Sequence, residues 1–327
     1  MSIDQQATHR LSLDNISLAA RTLDPVFLNS PQFVSNGLST KFGCDLTLKL
    51  ETANPIGSFK GRGASFFIQQ VVASNRVRPM VCASAGNFGQ ALAYACRSHD
   101  LPLTVFASIN ANPLKIAKMQ AFGAIIMLEG EDFDAAKLAA HQWATNNNAW
   151  MVEDGREPEI SEGAGSIAVE LLQHGDTFDA VLIPLGNGAL LTGIARWIKA
   201  HSPATKVFGI SSVHAPAMHD SWKTHCIIEY PTAQTIADGI AVRIPIPEAV
   251  SDMNNIVNDV YLINESSIIT AMKLLHKHER LLVEPAGAVG LSALVEHPSL
   301  RAFRRIATIV CGNNITHDQQ KSHLFAD

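Results

Sequence analysis

The sequence is poor in charged residues and has no long apolar run. Asp, Glu, Lys and Arg make up 17% of its 327 residues, whereas apolar residues make up 47%. This composition is too apolar for a disordered chain, and no apolar run reaches the roughly 18 residues needed to cross a membrane. The net charge of -5 is spread along the chain without a basic face. We therefore expect neither a membrane nor a nucleic acid as a partner.

Cysteine is also scarce. The five cysteines are odd in number, widely spaced and without a CxxC pair: Cys44, Cys82, Cys96, Cys226 and Cys311. This pattern predicts reduced thiols in a cytoplasmic protein rather than a disulfide framework or a zinc site. The first residues lack the basic and apolar regions of a secretion signal. The densest histidine group, His214, His219 and His225, matches no common ligand spacing, and we predict no metal site.

One lysine stands at the end of a run of turn-forming residues. Lys60 follows Pro55, Gly57 and Ser58, and the segment after it, residues 65–73, is dense in apolar side chains. This pattern predicts a buried helix with Lys60 in its first turn, where the helix dipole and an apolar surround disfavour an ammonium group. An uncharged amine can form a Schiff base with an aldehyde. From this segment alone, a solvated surface lysine remains the commoner alternative.

Short apolar segments alternate with helix-like segments along most of the chain. The predicted strands cover residues 46–50, 80–83, 103–107, 124–128, 150–152, 178–183, 206–210, 260–263 and 305–310. Such alternation predicts an α/β protein with parallel, doubly wound sheets. We predict two lobes, a small one from 79–155 and a large one from 1–78 and 156–327. Ligands of parallel sheets bind beyond the carboxyl ends of the strands, so we expect the site in the cleft between the lobes.

Three turns that follow predicted strands carry candidate ligand groups. Residues 84–88 open a helix, and their backbone N–H groups form either an anion seat or simply a tight turn. Residues 186–190 are small and open another helix, which suits a phosphate but does not follow the P-loop pattern. Cys311, after the last strand, is either an inert buried thiol or a neighbour of a ligand ring nitrogen.

Taken together, these motifs resemble the fold type II pyridoxal-phosphate enzymes, and most closely the group of threonine/serine dehydratases and serine racemase. The resemblance runs from about Thr47 to Asn314. The segments that carry it are 57–64, 84–87, 186–190, 235–242, 284–288 and 311–314.

The resemblance implies pyridoxal 5'-phosphate as cofactor and assigns residues to it. Lys60 would bond the cofactor aldehyde, Phe59 would pack beside the ring, Asn87 would bind the ring hydroxyl, and Glu284 would lie near the ring. The cofactor phosphate would be bound by Gly186, Asn187, Gly188, Ala189 and Leu190. The substrate would be bound by Ser84, Ala85, Gly86, Asn87 and Phe88. Cys311 would face the pyridine nitrogen without protonating it, which favours β-elimination over transamination. The resemblance also implies a homodimer.

The sequence departs from the family pattern at several site positions. Asn187 and Ala189 interrupt a phosphate loop that is usually four glycines, Phe88 replaces a common histidine, and Asn313 replaces a glycine. Racemases of the group carry a serine where this chain has Ala85. Without that second proton carrier, racemisation ranks below elimination.

We therefore expect a lyase that performs β-elimination on a β-hydroxy amino acid, threonine or serine, and releases a 2-oxo acid and ammonia. Two alternatives remain open at this point. One is a β-replacement enzyme of the cysteine-synthase or threonine-synthase kind, and the other is a sensor that keeps the fold without catalysis.

Overall fold

A computed structural model describes residues 9–173, 175 and 177–325 of the chain. Within these ranges ten strands form two sheets. The strands are β1 (Gln32–Val34), β2 (Asp45–Leu50), β3 (Met80–Ala83), β4 (Leu103–Ala107), β5 (Ile125–Leu128), β6 (Trp150–Met151), β7 (Ala180–Pro184), β8 (Lys206–Ser212), β9 (Asp259–Ile263) and β10 (Arg305–Val310).

Thirteen α-helices connect and cover these strands in the described part of the chain. They are α1 (Leu13–Thr22), α2 (Asn36–Phe42), α3 (Lys60–Ala73), α4 (Asn87–Arg97), α5 (Pro113–Ala121), α6 (Phe133–Asn146), α7 (Pro158–Leu171), α8 (Ala189–His201), α9 (Ala217–Thr224), α10 (Pro247–Asp252), α11 (Glu265–Glu279), α12 (Pro285–Glu296) and α13 (His317–His323). None of the helices in these ranges has the length and hydropathy needed to span a bilayer.

The larger sheet has six strands in the order β1-β2-β10-β7-β8-β9. All neighbours are parallel except β1 and β2, which run antiparallel. The residues of β7 and β10 are buried almost without interruption because helices cover both faces of the sheet. The apolar helix α12 packs across β7, β8, β9 and β10.

The smaller sheet has four parallel strands in the order β5-β4-β3-β6. Alternate side chains of β3 point to opposite faces, as the pleat requires. Val81 and Ala83 contact Ala136 and Ala140 of α6, whereas Cys82 packs on the side of α4. The carboxyl ends of these strands open toward the same cleft as those of the larger sheet.

The predicted α/β class and its two parallel sheets are confirmed, with one strand missed. β1 was expected to be a loop because Pro31 precedes it and it contains only three residues. It pairs antiparallel with β2, with Phe33 opposite Leu48, at the edge of the larger sheet. A single edge contact of this length leaves no period in the sequence.

All four strands of the smaller sheet lie between residues 80 and 151, inside the predicted small lobe. The boundaries of that lobe at 79 and 155 remain a prediction. We use "small lobe" and "large lobe" below for the parts that hold the four-stranded and six-stranded sheets. Helix α3 lies at their junction, where it packs against α4 on one side and α7 on the other.

Candidate active site

The loop before α3 presents Lys60 to the cleft. The Asn54 side chain accepts a hydrogen bond from the Ile56 backbone N–H at 3.0 Å, and Phe59 N–H donates to the Cys311 carbonyl at 3.0 Å. These bonds tie the entry loop to the end of β10. Helix α3 then begins at Lys60, so the predicted position in the first turn is confirmed. The Lys60 side chain is 14% exposed, and its Nζ lies 4.7 Å from the centroid of the Phe59 ring.

The surroundings of the Lys60 amine differ from the apolar ones that the sequence predicts. Oδ2 of Asp154 lies 2.5 Å from Lys60 Nζ, and the Asp154 side chain is 8% exposed. The expectation of an apolar surround was therefore wrong. It considered only chain neighbours of Lys60, whereas Asp154 comes from the turn after β6. That turn follows the carboxyl end of a parallel strand, which is where the rule for ligand positions would have directed attention.

Two residues beyond Lys60 the same helix is anchored by a buried ion network, made of Lys49, Glu51, Arg62 and Glu170. Arg62 is fully buried, and its guanidinium donates to Glu51 at 2.8 Å and to Glu170 at 2.7 Å. Lys49 Nζ lies 2.6 Å from Glu170. The network joins β2, α3 and α7 and therefore fixes the first turn of α3, where Lys60 stands.

A turn made of small residues faces Lys60 across the pocket. Gly188 ends the loop after β7 with φ +98°, and no side chain of the described chain caps α8, which begins at Ala189. The free N–H groups of this first turn form an anion seat. A Cβ at Gly186 would lie 2.8 Å from the Gly239 carbonyl oxygen. The second small-residue segment, 235–242, therefore forms the opposite wall of the seat.

The far wall of the pocket holds a thiol. Cys311 is buried, and its Sγ donates to the Ala286 carbonyl oxygen at 3.3 Å. Burial, followed by the nearby charge of Glu284, raises the pKa of the Cys311 thiol. The group therefore stays an uncharged thiol at neutral pH, which is the form that the sequence analysis assigned to it.

A carboxyl group and two amides link the lobes beside this pocket. Asn87 Nδ2 donates to Glu284 Oε1 at 2.6 Å, and Asn314 donates to Glu284 Oε2 and to Asn87 Oδ1 at 3.1 Å and 2.8 Å. Burial and the charge of Asp238 raise the pKa of Glu284 to about 7. Asn314 was noted in the sequence only as part of a motif, and its contact with Asn87 and Glu284 was not anticipated.

The turn between β3 and α4 lines the cleft, but part of its donor capacity is already used. The hydroxyl oxygen of Ser84 accepts hydrogen bonds from the N–H groups of Gly86 at 3.2 Å and Gly89 at 2.9 Å. The seat that the sequence predicts is therefore narrower than a row of free amides. Ala85 and Asn87 are half-buried at its rim, whereas Phe88 is buried.

The predicted residues come together in two connected cavities. Every predicted cofactor residue lines a pocket of about 400 Å³, namely Phe59, Lys60, Asn87, Gly186, Asn187, Gly188, Ala189, Leu190, Glu284 and Cys311. Every predicted substrate residue, namely Ser84, Ala85, Gly86, Asn87 and Phe88, lines a wider cleft. Lys60, Asn87 and Asp154 line both cavities. In the described ranges, no three His, Cys, Asp or Glu side chains are grouped to hold a metal ion.

This donor set fits pyridoxal phosphate. A primary amine stands at one wall, an uncapped helix N-terminus can take a phosphate, and a neutral thiol can face a ring nitrogen. The glycines of the seat leave the room that a side chain would fill. The fold and this site define an α/β enzyme that carries an aldehyde cofactor on a lysine.

The comparison with known families agrees. The family model described as "Pyridoxal-phosphate dependent enzyme" matches residues 24–312, and the chain belongs to this family. The chain is 32% identical over 305 residues to an L-threonine ammonia-lyase of Thermotoga maritima, a match that covers 93% of this chain and 76% of that protein. An L-threonine ammonia-lyase of Geobacter sulfurreducens is 32% identical over 281 residues, or 86% and 70% of the two chains.

Solved structures share the fold. A threonine deaminase of the organism abbreviated T.th. superposes with a TM-score of 0.86 at 27% identity and covers 93% of this chain and 99% of its own. Maize serine racemase superposes with a TM-score of 0.88 at 24% identity, with 95% and 96% of the chains covered. At that identity the second likeness concerns the fold alone.

Proposed function

We propose that this chain is a pyridoxal-phosphate-dependent ammonia-lyase that acts on threonine or serine. The observation that carries the proposal is the position of the Lys60 amine, which stands where the cofactor-sized pocket opens into the cleft lined by residues 84–88. The likeness to threonine ammonia-lyases over most of the chain supports the same reaction.

The chain's own groups divide the work in the following way. Bound pyridoxal phosphate supplies an electron-withdrawing ring that acidifies the α-C–H bond of an amino acid attached to it. Lys60 holds the cofactor, and once the substrate amine has displaced it, the freed amine takes the α-proton. The seat at 186–190 anchors the phosphate, and Cys311 leaves the ring nitrogen unprotonated.

The substrate is oriented by the small lobe. The N-terminus of α4 and the amide of Asn87 supply hydrogen-bond donors for a carboxylate at the rim of the cleft. Loss of the α-proton and the β-hydroxyl leaves an unsaturated amine, which takes up water and releases ammonia and a 2-oxo acid. Ala85 offers no proton to the opposite face of the substrate, so elimination is favoured over racemisation.

The test of this proposal is turnover by wild-type protein and by Lys60→Ala. Wild-type protein loaded with pyridoxal phosphate should show a visible Schiff-base band and release 2-oxobutanoate from threonine or pyruvate from serine. Lys60→Ala should lose both the band and the turnover. Retained activity in Lys60→Ala would contradict the proposal. Supplying sulfide or another nucleophile with O-acetylserine separates elimination from β-replacement, because only the latter consumes the nucleophile.

We also propose that the enzyme works as a cytoplasmic homodimer with a small amino acid as its partner, and with neither nucleic acid nor a membrane. The scattered thiols and the mixed surface charge support this setting. Light scattering coupled to size-exclusion chromatography measures the mass in solution. A mass equal to one chain of 35.2 kDa would contradict the dimer.

A further inference from the structure

The acidic partner of Lys60 has an oxygen that nothing else uses. Asp154 Oδ2 contacts the Lys60 amine, whereas Oδ1 is buried and has no hydrogen-bond partner in the described part of the chain. A buried carboxylate oxygen without a donor costs free energy that a structural role would avoid. Asp154 also lines both the cofactor pocket and the substrate cleft.

The backbone around Asp154 holds this carboxylate in place. Gly155 adopts φ +91°, and a Cβ there would collide with the carbonyl oxygen of Asn187 in the phosphate seat. Arg10 Nη2 donates to the Gly155 carbonyl oxygen at 3.2 Å. The turn is therefore clamped between the phosphate seat and the N-terminal segment, so Asp154 keeps a fixed position relative to Lys60.

The neighbouring charges leave Asp154 to Lys60. The other cations near the turn, Lys137 and Arg156, form ion pairs with Glu153, Lys137 at 2.7 Å. Lys60 is the only cation paired with Asp154 among the described residues. When Lys60 gains a proton, the new positive charge forms beside a carboxylate that is already oriented toward it.

We propose that Asp154 is a positioning residue for Lys60, which holds the free amine at the border of pocket and cleft and stabilises the ammonium that forms when this amine takes the α-proton. The inference rests on the proposed function. In the step concerned the α-C–H bond breaks, its electron pair stays with the substrate, and the proton goes to Lys60 Nζ. No further reactant is needed.

The main experiment isolates proton transfer from elimination. Holoenzyme is mixed with L-alanine in deuterium oxide, and exchange of the α-hydrogen is followed by NMR, because alanine has no β-leaving group. Asp154→Asn should slow exchange on the order of 100-fold, since a preoriented charge that stabilises a developing ion is lost. With threonine, kcat should fall similarly, KM should stay within about threefold, and the isotope effect of α-deuterated threonine on kcat should increase.

A second measurement uses protein freed of cofactor. In wild-type protein the Lys60 amine must leave its ion pair before it bonds pyridoxal phosphate, so Asp154→Asn should speed the appearance of the visible band by about tenfold at neutral pH. A merely structural role for Asp154 predicts slower attachment instead. Mass analysis after borohydride reduction verifies that the bonded residue is Lys60.

Two further variants serve as controls. Asp154→Glu keeps the charge and should recover a large part of the exchange rate. Glu129→Gln removes one negative charge at an exposed position outside both cavities and should leave all rates unchanged.

The outcomes separate this inference from the proposed function. Unchanged alanine exchange in Asp154→Asn, slower cofactor attachment, or a tenfold higher KM with unchanged kcat would overturn the role of Asp154. Absence of oxo acid from threonine and serine with wild-type protein would overturn the proposed lyase instead. The attachment rate still tests the contact between Asp154 and Lys60 in that case.

Discussion

Helix α3 carries two cations two residues apart, and the structure treats them differently. Arg62 is fully buried and joined to both Glu51 and Glu170 in the buried ion network. Lys60 is partly exposed, has a single ionic partner, and that partner keeps an unpaired oxygen. The network satisfies its charges within the chain, whereas the Lys60 pair leaves capacity for a reacting molecule.

This difference separates stability from chemistry along one turn of helix. A buried pair that loses one member leaves an uncompensated charge, so the network must remain complete for the chain to fold. The Lys60 pair lies at a cavity wall, where solvent and ligands can replace a lost contact. Substitutions at the two positions should therefore fail in different ways, and four predictions follow this contrast from the largest effect to the smallest.

Arg62→Met should give the largest loss of stability. It leaves Glu51 and Glu170 buried with one common cation removed, which costs about 3–5 kcal/mol in the free energy of unfolding. Lys60→Met, two residues earlier, should change that free energy by less than about 1 kcal/mol while it abolishes turnover. Urea unfolding of both variants without cofactor measures the difference. Equal losses of stability would contradict the contrast.

The pH dependence of Glu284 should come next. Its pKa is raised from 4.5 to about 7, first by burial and then by the charge of Asp238. Between these values the folded cofactor-free protein holds a proton that the unfolded chain has lost. Stability from this group is therefore complete below pH 4.5 and falls by about 3 kcal/mol as the pH rises through 7.

Glu284→Gln cannot titrate and isolates this contribution. The unfolding free energy of the wild type minus that of the variant should be about 3 kcal/mol smaller at about pH 8 than at about pH 5. Glu170 has the opposite behaviour. Burial would raise its pKa, but Arg62 and Lys49 hold the pKa below its ordinary value, so its stabilisation is lost only in acid. A difference that is constant with pH would contradict the assignment of Glu284.

The charge of the cleft predicts a preference among substrates. Its lining includes five acidic residues and four basic ones: Asp132, Asp134, Glu153, Asp154 and Asp238 against Lys60, Lys115, Lys137 and Arg243. An added β-carboxylate should be disfavoured, and kcat/KM for 3-hydroxyaspartate should be at least about tenfold below that for threonine. The gap should narrow in about 0.5 M salt, because screening weakens the repulsion. Equal kcat/KM values at low salt would contradict this account.

The local parts of the site could be predicted from the sequence. Turns such as 84–88 and 186–190 follow apolar strands directly, and the order of strands and helices brings them to one edge of each sheet. The contacts across the cleft could not be predicted in this way. Asp154 and Lys60 are far apart in the chain, and the two-residue strand β6 gives almost no periodic signal before Asp154.

Hydrogen bonds that consume donors are similarly invisible in a sequence. Ser84 was expected to leave the turn amides free, yet its hydroxyl oxygen accepts from Gly86 and Gly89. The link between Asn87, Glu284 and Asn314 also depends on how the two lobes meet. These features follow from tertiary packing, which propensity and period do not encode.

The ion pair between Lys115 and Asp238 should show the smallest effect on stability. It joins the lobes across the cleft, but Asp238 is 53% exposed, so Asp238→Asn should cost less than about 1 kcal/mol, with the cost vanishing in high salt. Removing the Asp238 charge should also lower the pKa of Glu284, because that charge is the second cause of its elevation after burial. The fall in stability would then occur at lower pH in Asp238→Asn than in the wild type, as urea unfolding across pH measures. A loss as large as that of Arg62→Met would mean that exposed pairs across the cleft, rather than the buried ion network, hold the two lobes together.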